Sequence, residues 1–362
     1  MTVDSKSQQP LHIAVIVVSY NTCDLLRTCL QSIYEAGPVG FTPAPKLTVI
    51  VIDNASHDGS PQMVAADFPQ ATLIALDQNI GFTAANNRAL THLGFDVRQE
   101  TSPRRHLATS PRRHVATLPP FPHSLLPDYT LLLNPDAQLA AVALANMVDF
   151  MERTPAAGMC GARLQYGDGA FQHGAFHFPT LMQAAIDLLP IAGIRGAQRL
   201  YDSRLNGRYP MARWRGDKPF PVDFVLGATM LARRAAIEQV GGLDEGFFMY
   251  CEEMDWCLRM AQAGWQTYAV PGARVIHHEA RSSRQIRWTS FVRLWQSRLR
   301  FYGKHYSVGA QFGLRAFLHL SLRQRTRAAQ RRFARGEITG QELAEELAAY
   351  RAILKEGESV NG

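Results

Sequence analysis

The sequence has few cysteines and no long apolar run, and both absences narrow the possible classes of protein. Its five cysteines form no CxxC pair and no even-numbered set, so we expect reduced thiols, no disulfide framework and no zinc site. No run of about 18 uncharged apolar residues occurs, and the opening MTVDSKSQQP has no apolar signal core. We therefore expect a cytoplasmic protein without a membrane span.

Acidic residues are scarce in one region. Residues 271–335 contain fifteen Lys and Arg and one acid, Glu279, a local net charge of +14, whereas the whole chain carries +7 and the remainder therefore −7. A basic segment can bind nucleic acid, anionic lipid or a phosphorylated substrate. Because no recognition helix, zinc finger or aromatic RNA-binding signature accompanies it, we expect no nucleic-acid partner.

The apolar pattern of the first half alternates between strand and helix. With 362 residues, 46% of them hydrophobic, the chain can form one large or two ordinary domains. Buried-strand runs occur at 13–18, 47–53, 72–76 and 129–133, and helical patterns at 23–37, 83–93 and about 139–152. Strands separated by helices predict an α/β fold with a parallel, helix-covered sheet.

A tandem duplication interrupts this pattern. SPRRHLAT at 102–109 is followed at once by SPRRHVAT at 110–117, inside a proline-rich segment that we place at 98–127. Prolines and like charges without a periodic apolar face predict an exposed, flexible insertion between a helix and a strand. A basic arm that binds a partner is the alternative.

The fourth predicted strand ends on a carboxylate. In YTLLLNPDAQL the apolar run stops at Asn134-Pro135-Asp136. Asp and Asn are ordinary turn residues. Ligands of open α/β sheets, however, lie beyond the carboxyl ends of strands, where Asp136 could hold a metal ion.

Three acids open a predicted helix in MYCEEMDWCLRMAQAGW, namely Glu252, Glu253 and Asp255. Acids in a first turn complement the helix dipole, and Asp255 can pair with Arg259 four residues later. Three acids in four residues after an aromatic run exceed that need. Burial beside apolar groups would raise the proton affinity of a carboxylate toward that of a useful base.

With these stretches in view, the chain resembles the family 2 glycosyltransferases, in particular their rhamnosyltransferase-like branch. The resemblance covers residues 13–283 and rests on an ordered set of motifs: VVSYN, VIDNASHDGS, NIGFTAANNRAL, LLLNPDA, the stretch from GATML to QAGW, and VIHHEARSS. It implies a GT-A fold, in which a Rossmann-like nucleotide-binding half with a mostly parallel sheet is fused to an acceptor-binding half. It also implies inverting transfer from a nucleotide sugar.

The resemblance assigns residues to the donor and to a divalent metal. Residues expected to bind the nucleotide sugar are Tyr20, Asn21, Asp53, Asn79, Gly81, Asn86 and Asn134. Asp136 matches the family's metal-site acid, and His277 matches its histidine by the five-residue spacing to Ser282, with His278 as the rival. Oxygen-rich ligation with one carboxylate suits Mg²⁺ or Mn²⁺.

The same resemblance places the catalytic base in the acidic pair. Glu253 is the first choice, Glu252 the second, and Asp255 is expected to fix the helix through Arg259 or to bind acceptor. Many relatives have Asp where this chain has Glu253, and the longer side chain reaches about one methylene further.

We therefore predict a nucleotide-sugar-binding half at 11–137, an acceptor and catalytic half at 138–283, and a basic helical C-terminal region at 284–362. The expected activity moves a sugar, foremost L-rhamnose from dTDP-L-rhamnose, onto a growing cell-surface glycan that is free or lipid-linked. A UDP sugar or another hexose donor is the alternative within enzymes, and a non-catalytic sugar-nucleotide-binding scaffold is the alternative outside them. The basic C-terminal helices could contact an anionic membrane surface peripherally or pack on protein.

Overall fold

The structure is a computed structural model that describes residues 10–98, 126–188, 197–201, 203–278 and 287–359. The two SPRRH repeats and Ser282, which entered the predictions above, lie outside these ranges.

The first half alternates between strand and helix as predicted. Its elements are β1 (His12–Ser19), α1 (Cys23–Ala36), β2 (Lys46–Asp53), α2 (Ser60–Asp67), β3 (Thr72–Ala75), α3 (Phe82–Leu93) and β4 (Tyr129–Leu133). β1 is buried on both faces, since Ile13, Val15 and Val17 pack on one side of the sheet while Ala14 and Ile16 pack on the other. This two-sided burial explains why the strand reads as a continuous apolar run.

The second half has shorter strands. Its elements are β5 (Ala137–Leu139), α4 (Ala143–Arg153), β6 (Ala157–Gln165), β7 (Phe171–Gln172), β8 (Ala175–Phe176), α5 (Leu181–Leu188), α6 (Ala197–Tyr201), β9 (Phe220–Val222), β10 (Phe224–Val225), β11 (Thr229–Arg233), α7 (Arg234–Val240), α8 (Glu252–Gln262) and β12 (Gln266–His277). Three helices follow: α9 (Arg287–His305), α10 (Val308–Ala334) and α11 (Gly340–Ser359).

The prediction of a helix over 139–152 was wrong at its start. Ala137–Leu139 form a strand, and the helix begins at Ala143. The reason is tertiary, because Ala137 pairs with His277 and Leu139 with Val275 across an antiparallel ladder. Local pattern could not reveal a partner strand that lies more than 130 residues later.

The central sheet joins both halves. Its order is β3-β2-β1-β4-β11-β6-β12-β5. β1, β2, β3 and β4 pair in parallel, as predicted for the nucleotide-binding half. β11 runs antiparallel to both of its neighbours, β4 and β6. The carboxyl ends of the first four strands therefore meet at one edge.

The C-terminal helices form a third apolar cluster against the catalytic half. Trp295, Phe301 and Tyr302 of α9 are buried with Phe247 and Cys251, which precede α8. This packing confirms the predicted helices at the C-terminal end of the fold. None of the helices in the described part of the chain is both long and apolar enough to cross a bilayer.

Candidate active site

The strand ends bring the predicted donor residues to one edge of the sheet. Ser19 of β1 lies opposite Asp53 of β2, and Val17 lies opposite Leu133 of β4. Tyr20, which follows β1, is 37% exposed at this edge. The parallel register therefore gathers side chains that are far apart in the sequence.

Asp53 has an unused carboxylate oxygen. Its side chain is buried, and Oδ2 accepts a hydrogen bond of 2.9 Å from the backbone N–H of Ser56. Oδ1 is buried, and no described residue forms a hydrogen bond with it. Because buried polar atoms in folded proteins nearly always have partners, Oδ1 is a natural acceptor for a ligand hydroxyl.

Asn21 is committed to the neighbouring loop. Its φ is +53°, its Oδ1 accepts from the His57 N–H at 2.8 Å, and its own N–H donates to Ser56 Oγ at 2.9 Å. These bonds tie the loop after β1 to the loop after β2. The geometry gives Asn21 a loop-fixing role beside Asp53.

The segment before α3 contacts the segment before α8. Gly81 has φ +88°, and an added Cβ would lie 2.5 Å from the carbonyl oxygen of Phe248. That same carbonyl accepts from the Phe82 N–H at 2.8 Å. The resemblance places Gly81 among the residues that bind the nucleotide sugar; in the structure this glycine permits close approach of Phe248.

Asn79 and Asn86 also bond within this segment. Asn79 Oδ1 accepts from the Gly81 N–H at 3.0 Å, and Asn86 Nδ2 donates to the Phe82 carbonyl at 2.9 Å. Sequence reasoning missed Asn87, which donates to the Leu243 carbonyl and accepts from the Leu243 N–H, each at 2.9 Å. The adjacent asparagines of NIGFTAANNRAL were the available signal.

Asp136 and His277 face each other. Asp136 Oδ1 lies 3.3 Å from His277 Nε2, and Asn134 Nδ2 lies 3.4 Å from the same nitrogen. The antiparallel pairing of Ala137 with His277 brings the two side chains together. Both are buried, so a carboxylate and an imidazole converge at the end of β4.

Gln172 orients the imidazole of His277. Its Oε1 lies 3.1 Å from His277 Nδ1, so the Nδ1–H tautomer would donate to Gln172 and present Nε2 toward Asp136. The rival His278 instead has Nε2 2.9 Å from Gln138 Nε2. No pattern in the sequence indicated Gln172, since β7 is a two-residue strand.

This donor set fits a divalent ion that also binds phosphate. One carboxylate oxygen and one imidazole nitrogen with a hydrogen-bonded outer partner are ordinary ligands for Mn²⁺ or Mg²⁺ when a ligand supplies further oxygens. Among the described residues, no group of three or more His, Cys, Asp or Glu side chains could hold a metal alone. A metal ion held by Asp136 and His277 would take further ligands from a bound molecule or from solvent.

The two glutamates at the start of α8 are buried, and neither forms an ion pair with a described residue. Both are less than a tenth exposed, and Oε2 of each has no hydrogen-bond partner in the described ranges. Burial, with backbone hydrogen bonds opposing it, raises the pKa of Glu253 to about 7. Burial and the neighbouring charge of Glu253 raise the pKa of Glu252 well above its ordinary value. Cys251, with φ +66°, turns the chain into this helix.

Asp255 has the opposite environment. It is fully buried and accepts from Arg259 Nε at 2.8 Å, Lys304 Nζ at 2.6 Å and His305 Nε2 at 2.7 Å. Burial acts to raise its pKa, but the His305 hydrogen bond and the charges of Arg259 and Lys304 outweigh it and hold the pKa well below its usual range. Asp255 is thus placed to fix the helix, the first of the two alternatives drawn from the sequence.

Lys304 and Arg300 of α9 extend this network. Lys304 Nζ also contacts Asp244 Oδ2 at 2.9 Å, and Arg300 Nη2 contacts Asp244 Oδ1 at 3.0 Å. Sequence reasoning treated these cations as part of a separate basic region. In the structure Lys304 contacts Asp255 of α8, and both cations contact Asp244, so they stabilise the position of α8.

The comparisons with known proteins agree with this architecture. Residues 14–96 match the family model described as glycosyl transferase family 2. The chain is 28% identical over 271 residues to the N-acetylglucosaminyl-diphospho-decaprenol L-rhamnosyltransferase of Mycobacterium tuberculosis (strain ATCC 25618 / H37Rv), covering 74% of this chain and 76% of that protein. It is 43% identical over 72 residues to rhamnosyltransferase WbbL of Escherichia coli (strain K12), which covers 18% of this chain and 27% of WbbL.

One solved structure shares the fold over nearly the whole chain. The mannosyltransferase PcManGT from Pyrobaculum calidifontis, in complex with GDP-Man and Mn²⁺, has a TM-score of 0.51 at 18% identity and covers 98% of this chain and 86% of its own. The fold is therefore the GT-A fold. Residues 14–96 carry the glycosyl transferase family 2 match, and over a longer stretch the chain is similar to rhamnosyltransferases.

Proposed function

We propose that the protein transfers L-rhamnose from dTDP-L-rhamnose, with inversion at the anomeric carbon, onto a growing cell-surface glycan attached to a lipid diphosphate. The relative from Mycobacterium tuberculosis, which is named for transfer to a decaprenol-linked sugar, supports this choice of sugar and acceptor. We retain the functional division into a donor half at 11–137, an acceptor half at 138–283 and a C-terminal region at 284–362 as part of the proposal.

The observation that carries the catalytic part is the contrast between Glu253 and Asp255. Asp255 accepts hydrogen bonds from three side chains. In contrast, no described residue bonds to Oε2 of Glu253, and the pKa of Glu253 is raised to about 7. A general base works best when its pKa lies near the working pH. Glu253 meets that condition and Asp255 does not.

In the donor site, Asp53 accepts a hydrogen bond from a ribose hydroxyl through Oδ1, and Tyr20 lies beside the nucleobase of the donor. Asp136 and His277 hold a divalent ion, Mg²⁺ or Mn²⁺, with Gln172 orienting the imidazole. When bound, such an ion stabilises the diphosphate leaving group as a Lewis acid. The Mn²⁺ in the complex of the solved mannosyltransferase supports this assignment.

In the reaction, the carboxylate of Glu253 takes the proton of the acceptor hydroxyl. The hydroxyl oxygen forms a bond to the anomeric carbon on the face opposite the nucleotide, and the bond from that carbon to the diphosphate oxygen breaks. The products are the inverted glycoside and dTDP. Glu252, the second candidate for the base, keeps its proton because its pKa is raised by burial and by the charge of Glu253.

A transfer assay tests the proposal. The protein is incubated with a lipid-diphosphate acceptor carrying N-acetylglucosamine, with either dTDP-L-rhamnose or a UDP-hexose, and the product's anomeric configuration is read by NMR. Inverted rhamnosyl product from the dTDP donor alone supports the proposal. If product forms only from a UDP-hexose, the UDP-hexose is the donor in place of dTDP-L-rhamnose. Binding of dTDP-L-rhamnose in a thermal-shift assay without any product supports a non-catalytic sugar-nucleotide-binding protein.

A further inference from the structure

One side of α10 exposes an apolar stripe that continues into an arginine stripe. Residues spaced by three or four positions share a helix face, and on α10 this exposed face consists of Val308, Phe312, Ala316, Leu320, Arg323, Arg327 and Arg331. We name these seven residues the α10 outer stripe. Val308 is 81%, Phe312 74% and Leu320 54% exposed. The stripe spans about 35 Å at a rise of about 1.5 Å per residue.

The opposite side of α10 is firmly packed. Leu314, Leu318 and Leu322 are buried in the third apolar cluster, and Ser321 Oγ donates to the Leu188 carbonyl at 2.8 Å. The orientation of the helix is therefore fixed by its own domain. Consequently, the large apolar side chains of the outer stripe face away from the body of the protein.

No described residue pairs with the side chains of the stripe's arginines. α10 contains no Asp or Glu, and no hydrogen bond or ion pair joins the guanidinium groups of Arg323, Arg327 and Arg331 to the described part of the chain. Arg332, one position further round the helix, instead pairs with Glu346 of α11 at 2.5 Å. The positive charge of the outer stripe is thus available to an external partner.

We propose that the α10 outer stripe docks on the surface of an anionic lipid bilayer. The apolar residues of its first half enter the boundary between headgroups and acyl chains, and the arginines of its second half contact lipid phosphates. Charge complementarity selects this occupant, because a second copy packed through the same stripe would supply no acidic side chain from α10.

The stripe begins close to the acidic helix. Val308 follows His305 by three residues, and His305 contacts Asp255 of α8. Docking through the stripe therefore places the C-terminal end of α9 beside the bilayer. Lys304 and His305, which contact Asp255 of α8, lie at that end. An acceptor anchored in lipid would meet the enzyme at that surface.

Vesicle sedimentation of the full chain tests the proposal without donor or acceptor, so its outcome is independent of the proposed reaction. The probes are vesicles of equal parts phosphatidylcholine and phosphatidylglycerol, and vesicles of phosphatidylcholine alone. We expect binding to the anionic vesicles that weakens with added salt. Replacement of Arg323, Arg327 and Arg331 together by Gln should reduce partitioning roughly 100-fold, since each basic residue at an anionic surface contributes about fivefold.

A second variant and a matched control complete the design. Phe312→Ser with Leu320→Ser removes the apolar half of the stripe and should also abolish binding. The control carries Arg204→Gln, Arg215→Gln and Lys218→Gln, exposed positions of the acceptor half with the same change in net charge, and should bind like the parent protein.

Two results would overturn the proposal. The first is equal loss of binding in the control and in the arginine variant, which would mean that net charge alone drives adsorption. The second is a lipid-free dimer, detected by light scattering, that dissociates in the Phe312/Leu320 variant while vesicle binding stays unchanged. Circular dichroism and nucleotide affinity verify that each variant is folded.

Discussion

Lys304 Nζ of α9 lies 2.6 Å from Asp255 Oδ1 of α8, inside the protein and 49 positions away in the sequence. Through this contact the C-terminal region supports the helix that carries the proposed base. If the charge of Asp255 is removed, Arg259 and Lys304 both lose a buried carboxylate partner.

We predict that Asp255→Asn destabilises the fold by about 3–5 kcal/mol, the usual cost of breaking a buried ion pair from one side. The measurement is urea unfolding at neutral pH. The matched control is Asp149→Asn, which removes the exposed partner of Arg153 four residues later and should cost less than about 0.5 kcal/mol. Equal effects of the two substitutions would contradict the account of Asp255.

Glu253→Gln should lower the turnover number by about 10²–10⁴-fold, the range for removal of a general base. Affinity for the nucleotide sugar should stay at the parent level, because Asp53, Asp136 and His277 are untouched. Glu252→Gln is the control and should retain more activity. A larger loss of turnover in Glu252→Gln than in Glu253→Gln would make Glu252 the general base.

Glu253 should also shape the dependence of stability on pH. Burial raises its pKa from 4.5 to about 7, so the folded state binds the proton more tightly than the unfolded state. Its contribution to stability is present below about pH 4.5 and is lost as the pH rises through about 7. The melting temperature of Glu253→Gln should therefore fall less over this window than that of the parent. Parallel curves would show that Glu253 titrates normally.

Gln172→Leu should weaken metal-dependent nucleotide binding about 10–100-fold, the effect expected for loss of an outer-shell hydrogen bond. Titration of Mn²⁺ in a thermal-shift assay with dTDP measures it. Gln138→Leu is the control, since Gln138 contacts His278 rather than His277, and should leave the titration unchanged. If Gln138 were the sensitive residue, His278 would replace His277 as the metal ligand.

Asp136→Asn preserves the size of the side chain and removes its charge, so nucleotide binding should lose its metal dependence and transfer should fall steeply. The melting temperature should change little, since Asn occupies turns as Asp does. Affinity, metal response and turnover at parent levels would make Asp136 a turn residue only.

Gly81→Ala should destabilise more than Gly59→Ala, although both glycines have positive φ values, +88° and +84°. Gly59, with ψ 5°, is in the left-handed region, whereas Gly81, with ψ 168°, is in an extended positive-φ region that is nearly confined to glycine, so backbone strain adds to the difference. A Cβ at Gly81 would meet the Phe248 carbonyl at 2.5 Å, whereas a Cβ at Gly59 meets nothing within 4 Å. Urea unfolding measures the difference. Equal losses would mean that Phe248 moves aside freely.

The sequence predicted what short-range patterns encode. The four parallel strands and the polar residues at their ends follow from apolar runs and the breaks between them, and the pairing of Asp255 with Arg259 follows from helical spacing. Gln172, Asn87 and Lys304 could not be predicted in this way. Each acts through a partner 49 to 156 positions away, and only the assembled sheet and the packed C-terminal helices bring those partners together.

The reason for Gly81 was also beyond the sequence. A glycine after a strand indicates that something approaches the backbone closely, but it does not identify what approaches. Here it is the carbonyl of Phe248. The start of the helix at Ala143 was missed for a similar reason, because Ala137–Leu139 form their strand only when β12 is present.

The place of β11 between β4 and β6 also bears on synthesis at the ribosome. β4 is wholly buried, with the sequence YTLLL, and one of its two edges pairs with β11, whose residues lie 100 positions later. At about 5–20 residues per second, that apolar edge stays open for roughly 5–20 s after β4 emerges. An unpaired strand edge is a template for association with other chains, so the nascent protein is exposed to such association during that interval.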